Sequence, residues 1–421
     1  MQDRPLDFIL MGIQGSSRRD RALEELFRAV LERRADKAVV EAAKPYSDDA
    51  TPEDVASLVD RAVSRGVGFD VLKPGVAKLL NLLYDPLRNH RYPGGEVFLD
   101  SLVLENRGAV DLLTEARSAV AAMNADGVPR PEGFARVRSF ADRLGELEIH
   151  YLKKENVLFP AFEARYPEYR CVQLMWSIHD DVRRSLRRLR ELCDDPDSLL
   201  SELNGEIGRL YFNIHAVIFR EECILFPILA KLVDRTSLDA LFEESRSFGF
   251  CFLGAEEIED LVSRAAVGTG NPAETGTEPP KGTGFLPSGD TAIPLDAGSL
   301  TCPVLEALFR ALPADLTFVD ASGRVAWFSN GPHRIFPRTP SVIGRDVRNC
   351  HPRESVDRVV SILEDFRSGR RDREAFWILH RGRFIHIEYF ALRDPDGRFL
   401  GTLEVSQDLT EKRALEGEKR L

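Results

Sequence analysis

No run of about eighteen apolar residues occurs anywhere in the 421-residue chain, which excludes a helix long and apolar enough to span a membrane. The opening MQDRPLDFILMGIQGSS has only a short apolar patch and mixed charges, unlike a secretory leader. The six cysteines, at 171, 193, 223, 251, 302 and 350, form no CxxC pair. That scatter fits reduced thiols better than a disulfide framework. A basic excess is missing as well: the net charge of −11 argues against a protein built to coat nucleic acid. The expectation is a cytoplasmic protein with neither a nucleic-acid nor a membrane partner. The apolar content of 43% and charged content of 30% are those of an ordinary globular chain.

The length predicts several domains. Residues 264–300 are dominated by Gly, Pro, Thr and Ala without a period, and read as a flexible linker. Helical patterns fill the chain before it. Residues 1–92 read as a small helical domain with no chemistry-bearing cluster; Thr51-Pro52-Glu53-Asp54 there is a helix start with a cap, a proline in the first turn and early acids. Residues 93–263 contain four long amphipathic segments, near 97–123, 133–165, 171–194 and 199–234, which predict a four-helix bundle. Residues 301–421 read as α+β, with turns at Ser322-Gly323 and Asp396-Gly397.

One phrase occurs twice in the bundle region, as HYLKKENVLFP from His150 and as VIFREECILFP from Val217. Both copies crowd charge into the middle and close on Leu-Phe-Pro. Polar residues also interrupt the apolar stripes. The fourth segment runs Leu210, Ile214, Val217, Glu221, Ile224, Ile228, and the third Met175, His179, Val182, Leu186, Leu189, Cys193. The repeat puts His150 where Val217 stands, and the first segment carries Asn106 with Glu105 beside it. A buried carboxylate is costly unless it is paired or bound to a cation, and Glu and His on facing bundle helices are a way to hold a metal. The competing reading is a hydrogen-bonded histidine or a buried ion pair of Glu221 with His150 or His179.

On these phrases the bundle resembles the hemerythrin HHE cation-binding domain, whose usual phrase is H-x-x-x-E followed by Leu-Phe-Pro, given twice. The resemblance implies iron. This chain departs from it in several places. Lys154 stands four after His150, and Glu155 lies five after, a rotation of about 140° on an α-helix. Val217 stands at the second histidine position; His215 is nearby and shares a face with Glu222. Asn106 and Arg183 stand where family members have histidine. The ligand candidates are therefore His150, His179 and Glu221, with Glu105, Glu155, His215 and Glu222 behind them, and the site expected is a diiron or an altered one. Lys154 offers another outcome, an ammonium standing in for a lost cation. Glu105-Asn106-Arg107, KKENVLFP, MWSIHD and REECILFP also look like a prokaryotic family of unknown function in which a helical domain and a hemerythrin-like bundle precede a PAS domain.

The last domain resembles a PAS domain through LPADLTFVDASGRVAWFSN, GRDVRNCHP and FWILHRGRFIHIEYFALRDPDGRFLGTLEVSQDLT. Cys350 and His351 could bind haem or another small ligand there; a plain loop and helix cap is the alternative. His386 and Glu388 share a strand face by period two, either lining an inner pocket or lying on the outer face of an edge strand. The fold expected is multidomain: an all-α N-terminal region with a hemerythrin-like four-helix bundle, then an α+β PAS domain. The function expected is a sensor of oxygen, nitric oxide or redox state. It would report through a signalling partner or through self-association of the PAS domain, since no kinase, cyclase or DNA-binding module follows EKRALEGEKRL. Iron delivery or iron–sulfur centre repair, and a metal-free interaction scaffold, are the alternatives. Whether the chain is an enzyme stays open.

Overall fold

A computed structural model describes residues 17–125, 130–167, 169–195, 197–268, 292–295, 297–332, 334–351 and 353–418. Of the expected linker, residues 269–291 and 296 lie outside the described residues. The chain divides into two compact units, residues 1–270 and 271–421.

Among its described residues the first unit holds helices joined by loops and no strand. Five helices come first: α1 (Arg18–Leu31), α2 (Lys37–Ser47), α3 (Pro52–Ser64), α4 (Phe69–Leu82) and α5 (Tyr84–Arg88). The start predicted at Thr51 forms as a capping box, with Thr51 and Asp54 satisfying each other's backbone N–H groups. Then comes the bundle. Its first member is α6 (Val97–Asn124). Its second is built from α7 (Arg130–Leu144), α8 (Leu147–Lys153) and α9 (Phe159–Arg165). Its third is α10 (Cys171–Asp194), and its fourth is α11 (Leu200–Arg220) continued by α12 (Phe226–Leu232). Two more helices, α13 (Arg235–Ser245) and α14 (Ala255–Gly268), follow. One apolar core runs continuously from Leu23 to Ala265 and includes Leu72, Phe98, Phe159, Val182 and Phe226.

The repeated phrase has a local structural cause. In both copies the α-helix widens into one π-turn, at Lys154–Leu158 and at Glu221–Leu225. Phe159 N–H donates to Lys154 O, and Phe226 N–H to Glu221 O, each spanning five residues. Pro160 and Pro227 follow directly. A proline inside a helix has no N–H to donate and its ring collides with the carbonyl four residues back. Widening the preceding turn removes that collision, and π-turns of this kind cluster at functional positions. The extra residue also redirects the side chains before it, so rotation counted at 3.6 residues per turn does not apply across Lys154–Leu158.

The second unit opens with a hairpin, β1 (Ala292–Leu295) and β2 (Gly298–Thr301), and a helix, α15 (Cys302–Ala311). Five antiparallel strands follow: β3 (Asp315–Asp320), β4 (Val325–Phe328), β5 (Arg373–His380), β6 (Arg383–Arg393) and β7 (Phe399–Asp408). Their order in the sheet is β4-β3-β7-β6-β5. The α16 helix (Arg353–Ser368) packs on it, placing Ile362 and Phe366 against Ile385, Ile387 and Tyr389. The turns fall at Ser322-Gly323 and Asp396-Gly397 as predicted. His386 and Glu388 lie opposite the buried Ile385, Ile387 and Tyr389. Theirs is thus the outer face, but β6 is an inner strand of the sheet with β5 on its far side.

Candidate functional site

The two π-turns bring their charged residues into the bundle core. Glu105 on α6, His150 on α8 and Glu221 at the start of the second π-turn are all fully buried and meet directly. His150 Nδ1 lies 2.8 Å from Glu105 Oε2, and its Nε2 lies 3.4 Å from Glu221 Oε2. Asn106 Nδ2 donates to Glu221 Oε2 at 2.9 Å. Beside this group His179 on α10 sets its Nδ1 2.8 Å from Glu155 Oε1. The His179 ring stacks on Tyr151, with ring centroids 4.0 Å apart.

Each of these carboxylates has a cation of its own. Lys153 Nζ donates to Glu105 Oε1 and Lys154 Nζ to Glu221 Oε1, with both lysines wholly buried. Arg183 clamps Glu155 with two N–H groups, at 3.0 and 2.9 Å. Aromatic faces complete the shell: Lys153 Nζ is 4.7 Å from the centre of the Phe250 ring, and Lys154 Nζ 4.8 Å from that of Tyr151. Three buried carboxylates thus face two buried lysines and one partly buried arginine.

Electrostatics follow from that pairing. Burial pushes the Glu221 carboxyl up, but the Lys154 charge and the His150 hydrogen bond outweigh it and hold the group well below the ordinary carboxylate value. Glu105 is likewise held low: burial raises it, and His150 with Lys153 wins. Burial lowers Lys154, with Glu221 offsetting only part of the effect. Burial, then Lys154 and Arg183, drives His179 far below the ordinary histidine value, so its imidazole is neutral.

A metal does not fit this donor set as arranged. Glu105 Oε1 also accepts the Cys251 N–H at 3.1 Å, so every carboxylate oxygen of Glu105, Glu155 and Glu221 already has a hydrogen-bond partner in the protein. A metal ligand would have to shed a lysine or arginine first. Among the described residues no group of three or more His, Cys, Asp or Glu side chains is placed to hold a metal ion. One nitrogen, His179 Nε2, is buried without a partner among the described residues.

Two candidates lie apart from this centre. His215 is half-buried on α11, packs on Tyr211 at 4.3 Å between ring centroids, and has no polar partner for Nε2 among the described residues. Glu222 is buried, pairs with Arg91 and receives Asn106 Nδ2 at 3.5 Å. Burial raises its carboxyl above the ordinary value, against Arg91. In the second unit His351 lines a void of about 10 Å³ with Val319, Tyr389 and Glu404. Haem does not fit such a void, since ligand sites run to several hundred Å³. Burial lowers His351 to about 4, and the half-buried Cys350 thiol donates to Asp346 O at 3.6 Å.

Sequence reasoning missed the part played by Lys153, Arg183 and Arg91 as counter-charges. For Lys153 the signal available was the KKE phrase itself, with bases beside an acid at a core phase; nothing in the linear order pairs Arg183 with Glu155 or Arg91 with Glu222.

Residues 97–229 match the family model of the hemerythrin HHE cation binding domain, and residues 305–410 match that of a PAS domain. Both resemblances read from the phrases hold for these segments. The pairing of the two domains suggests a sensory or signalling role in general terms, and no helix among the described residues is long and apolar enough to cross a membrane. The solved structures that are similar to parts of the chain include the following two. A C-terminal domain from Streptococcus mutans is 31% identical, covering 31% of this chain and 100% of its own, at a TM-score of 0.29. The PAS domain of a protein from Colwellia psychrerythraea is 15% identical, covering 26% of this chain and 97% of its own, at a TM-score of 0.22. No curated protein matches the chain.

Proposed function

We propose that this is a cytoplasmic signalling protein in which the hemerythrin-like bundle works through a buried ion-pair network, with lysine ammoniums where the family resemblance implies metal. Its output then passes through the PAS domain to a partner protein or to a second copy. The observation that carries the reading is Lys154 on Glu221: the acid at the centre of the fourth helix has a fully buried cation from its own chain. Such a network holds its charges in one register and is costly to leave half-made.

The rival is a mononuclear iron centre that detects oxygen, nitric oxide or redox state, or that serves iron delivery or iron–sulfur repair. The buried, unpartnered His179 Nε2 favours it. Metal analysis of untagged protein from cells grown in iron-rich medium decides between them. The network reading expects well under one iron per chain and an unchanged unfolding temperature after chelation. Stoichiometric iron with a visible absorbance band, lost on His179→Ala, would sink it.

A further inference from the structure

A second site lies in the first unit, away from the ion-pair core. It is a cavity of about 640 Å³ between α4, α5, α6, α11 and the second π-turn, within the size range of small-molecule sites. One wall is apolar and aromatic: Leu80, Phe212, and Tyr84 stacked on Phe219 with ring centroids 5.2 Å apart. The polar side is basic, with Arg88, Arg91 and Arg220.

Arg220 is the decisive residue. Only 6% of it is exposed. Its Nη1 donates to the Ala216 carbonyl of its own helix at 2.8 Å, while Nε has no partner among the described residues. No carboxylate there pairs with it. The cavity's one acid, Glu222, is taken by Arg91. A buried guanidinium without a counter-charge is costly. The repeat sharpens the contrast. The position equivalent to Arg220 in the first copy is Lys153, which meets Glu105; Arg220 meets no acid among the described residues.

We propose that this cavity binds a small organic anion, an oxyanion group on an apolar body, with Arg220 as its buried counter-charge and the aromatic wall as its seat. Guanidinium offers the forked donor geometry that carboxylate and phosphate oxygens match. The exposed Arg88 has no carboxylate partner among the described residues and guards the same cavity. His215 Nε2, buried and unpartnered, supplies a further polar atom. The inference goes beyond the ion-pair reading but touches it. Glu222, held by Arg91, bonds Asn106, and Asn106 bonds Glu221 of the core. An anion that draws Arg91 off Glu222 reaches the network in two contacts.

The test uses the full chain and anilinonaphthalene sulfonate as a fluorescent anionic probe, with N-phenylnaphthylamine as its uncharged counterpart. Octanoate, octyl phosphate and octanol serve as competitors. The expected result is one saturable sulfonate site that octanoate or octyl phosphate empties and octanol does not; whichever anion wins identifies the head group. Arg220→Met should weaken the sulfonate and both anions about tenfold or more, a loss of one charge-assisted contact. It should leave the uncharged probe unaffected and raise the unfolding temperature, because an unpaired buried charge is gone. Arg88→Glu, at an exposed position, should weaken the anions without touching the fold. Unchanged anion binding in both variants overturns the proposal. So does an Arg220→Met protein that is less stable and still binds, which would make Arg220 a structural residue.

Discussion

The Lys154 ammonium donates to Glu221 Oε1 across the bundle core, joining the first residue of one π-turn to the first residue of the other. These are the same position in the two copies of the phrase. The copies differ there by a charge reversal, and the reversal is the contact.

Lys154→Met is therefore expected to leave Glu221 buried and uncompensated, at a cost of about 3–5 kcal/mol. The double variant Lys154→Met, Glu221→Leu removes both charges and should recover most of that loss. Urea unfolding of the first unit, followed by circular dichroism, measures both. A single variant as stable as the parent would show that the pair carries no weight.

Acid should weaken the first unit in two stages. The folded value of His179 lies far below the ordinary histidine value of about 6.5. Below that pH the unfolded chain takes up a proton that the folded chain refuses, and stability falls. Glu105 and Glu221, held low in the fold, contribute stability above about pH 4.3 that is lost as pH drops toward their folded values. Each group contributes a slope of up to about 1.4 kcal/mol per pH unit. His179→Gln should flatten the limb between about pH 6.5 and 5 and keep the more acidic limb. Equal slopes in both proteins across the upper limb would contradict the assignment.

Deleting Asn156 tests the first π-turn. A segment one residue shorter closes Lys154–Leu158 as an ordinary α-turn, because a π-turn takes up a single extra residue, and the helix beyond it keeps its phase. The Pro160 ring then meets the carbonyl it now avoids, next to the buried Phe159 and Phe162, and Lys154 loses the turn that aims it at Glu221. The expected outcome is loss of the cooperative transition of the first unit, seen by calorimetry, while the second unit still melts. Full retention of the transition would mean the π-turn is dispensable.

Gly401 holds the second unit's sheet together at close quarters. Its φ is +153°, and a Cβ there would meet the Val319 carbonyl oxygen at 2.3 Å and the Phe318 ring at 2.7 Å. Gly401→Ala should cost about 2 kcal/mol or more in that unit. Gly323, at φ +86° in an open turn with nothing within 4 Å, should lose about 1 kcal/mol on the same change. Thermal unfolding of the two variants side by side gives the order; a reversed order would refute the packing argument.

Much of this architecture was legible in one dimension. Helical periodicity located the four bundle segments, and strand alternation with Gly turns located β3 to β7. Stripe interruptions picked out Glu105, Asn106, His150, His179 and Glu221 as core polar residues, because burial at a fixed helical phase is a property of spacing alone. Lys154 was visible too, as a possible stand-in for a cation. Glu155 was misjudged because rotation was counted on a regular helix, whereas a proline two residues past the turn widens it.

What the linear order determined is the set of charges and the phase at which they enter the core. Partner choice was decided only by the tertiary structure: Lys153 with Glu105, Lys154 with Glu221, Arg183 with Glu155, Arg91 with Glu222, and no acid for Arg220 among the described residues. Charge pairing depends on distances of a few ångströms between residues tens of positions apart, and periodicity carries no such distances. A cation's worth in the core is set by which carboxylate faces it across the bundle, and that exists only once the helices have packed.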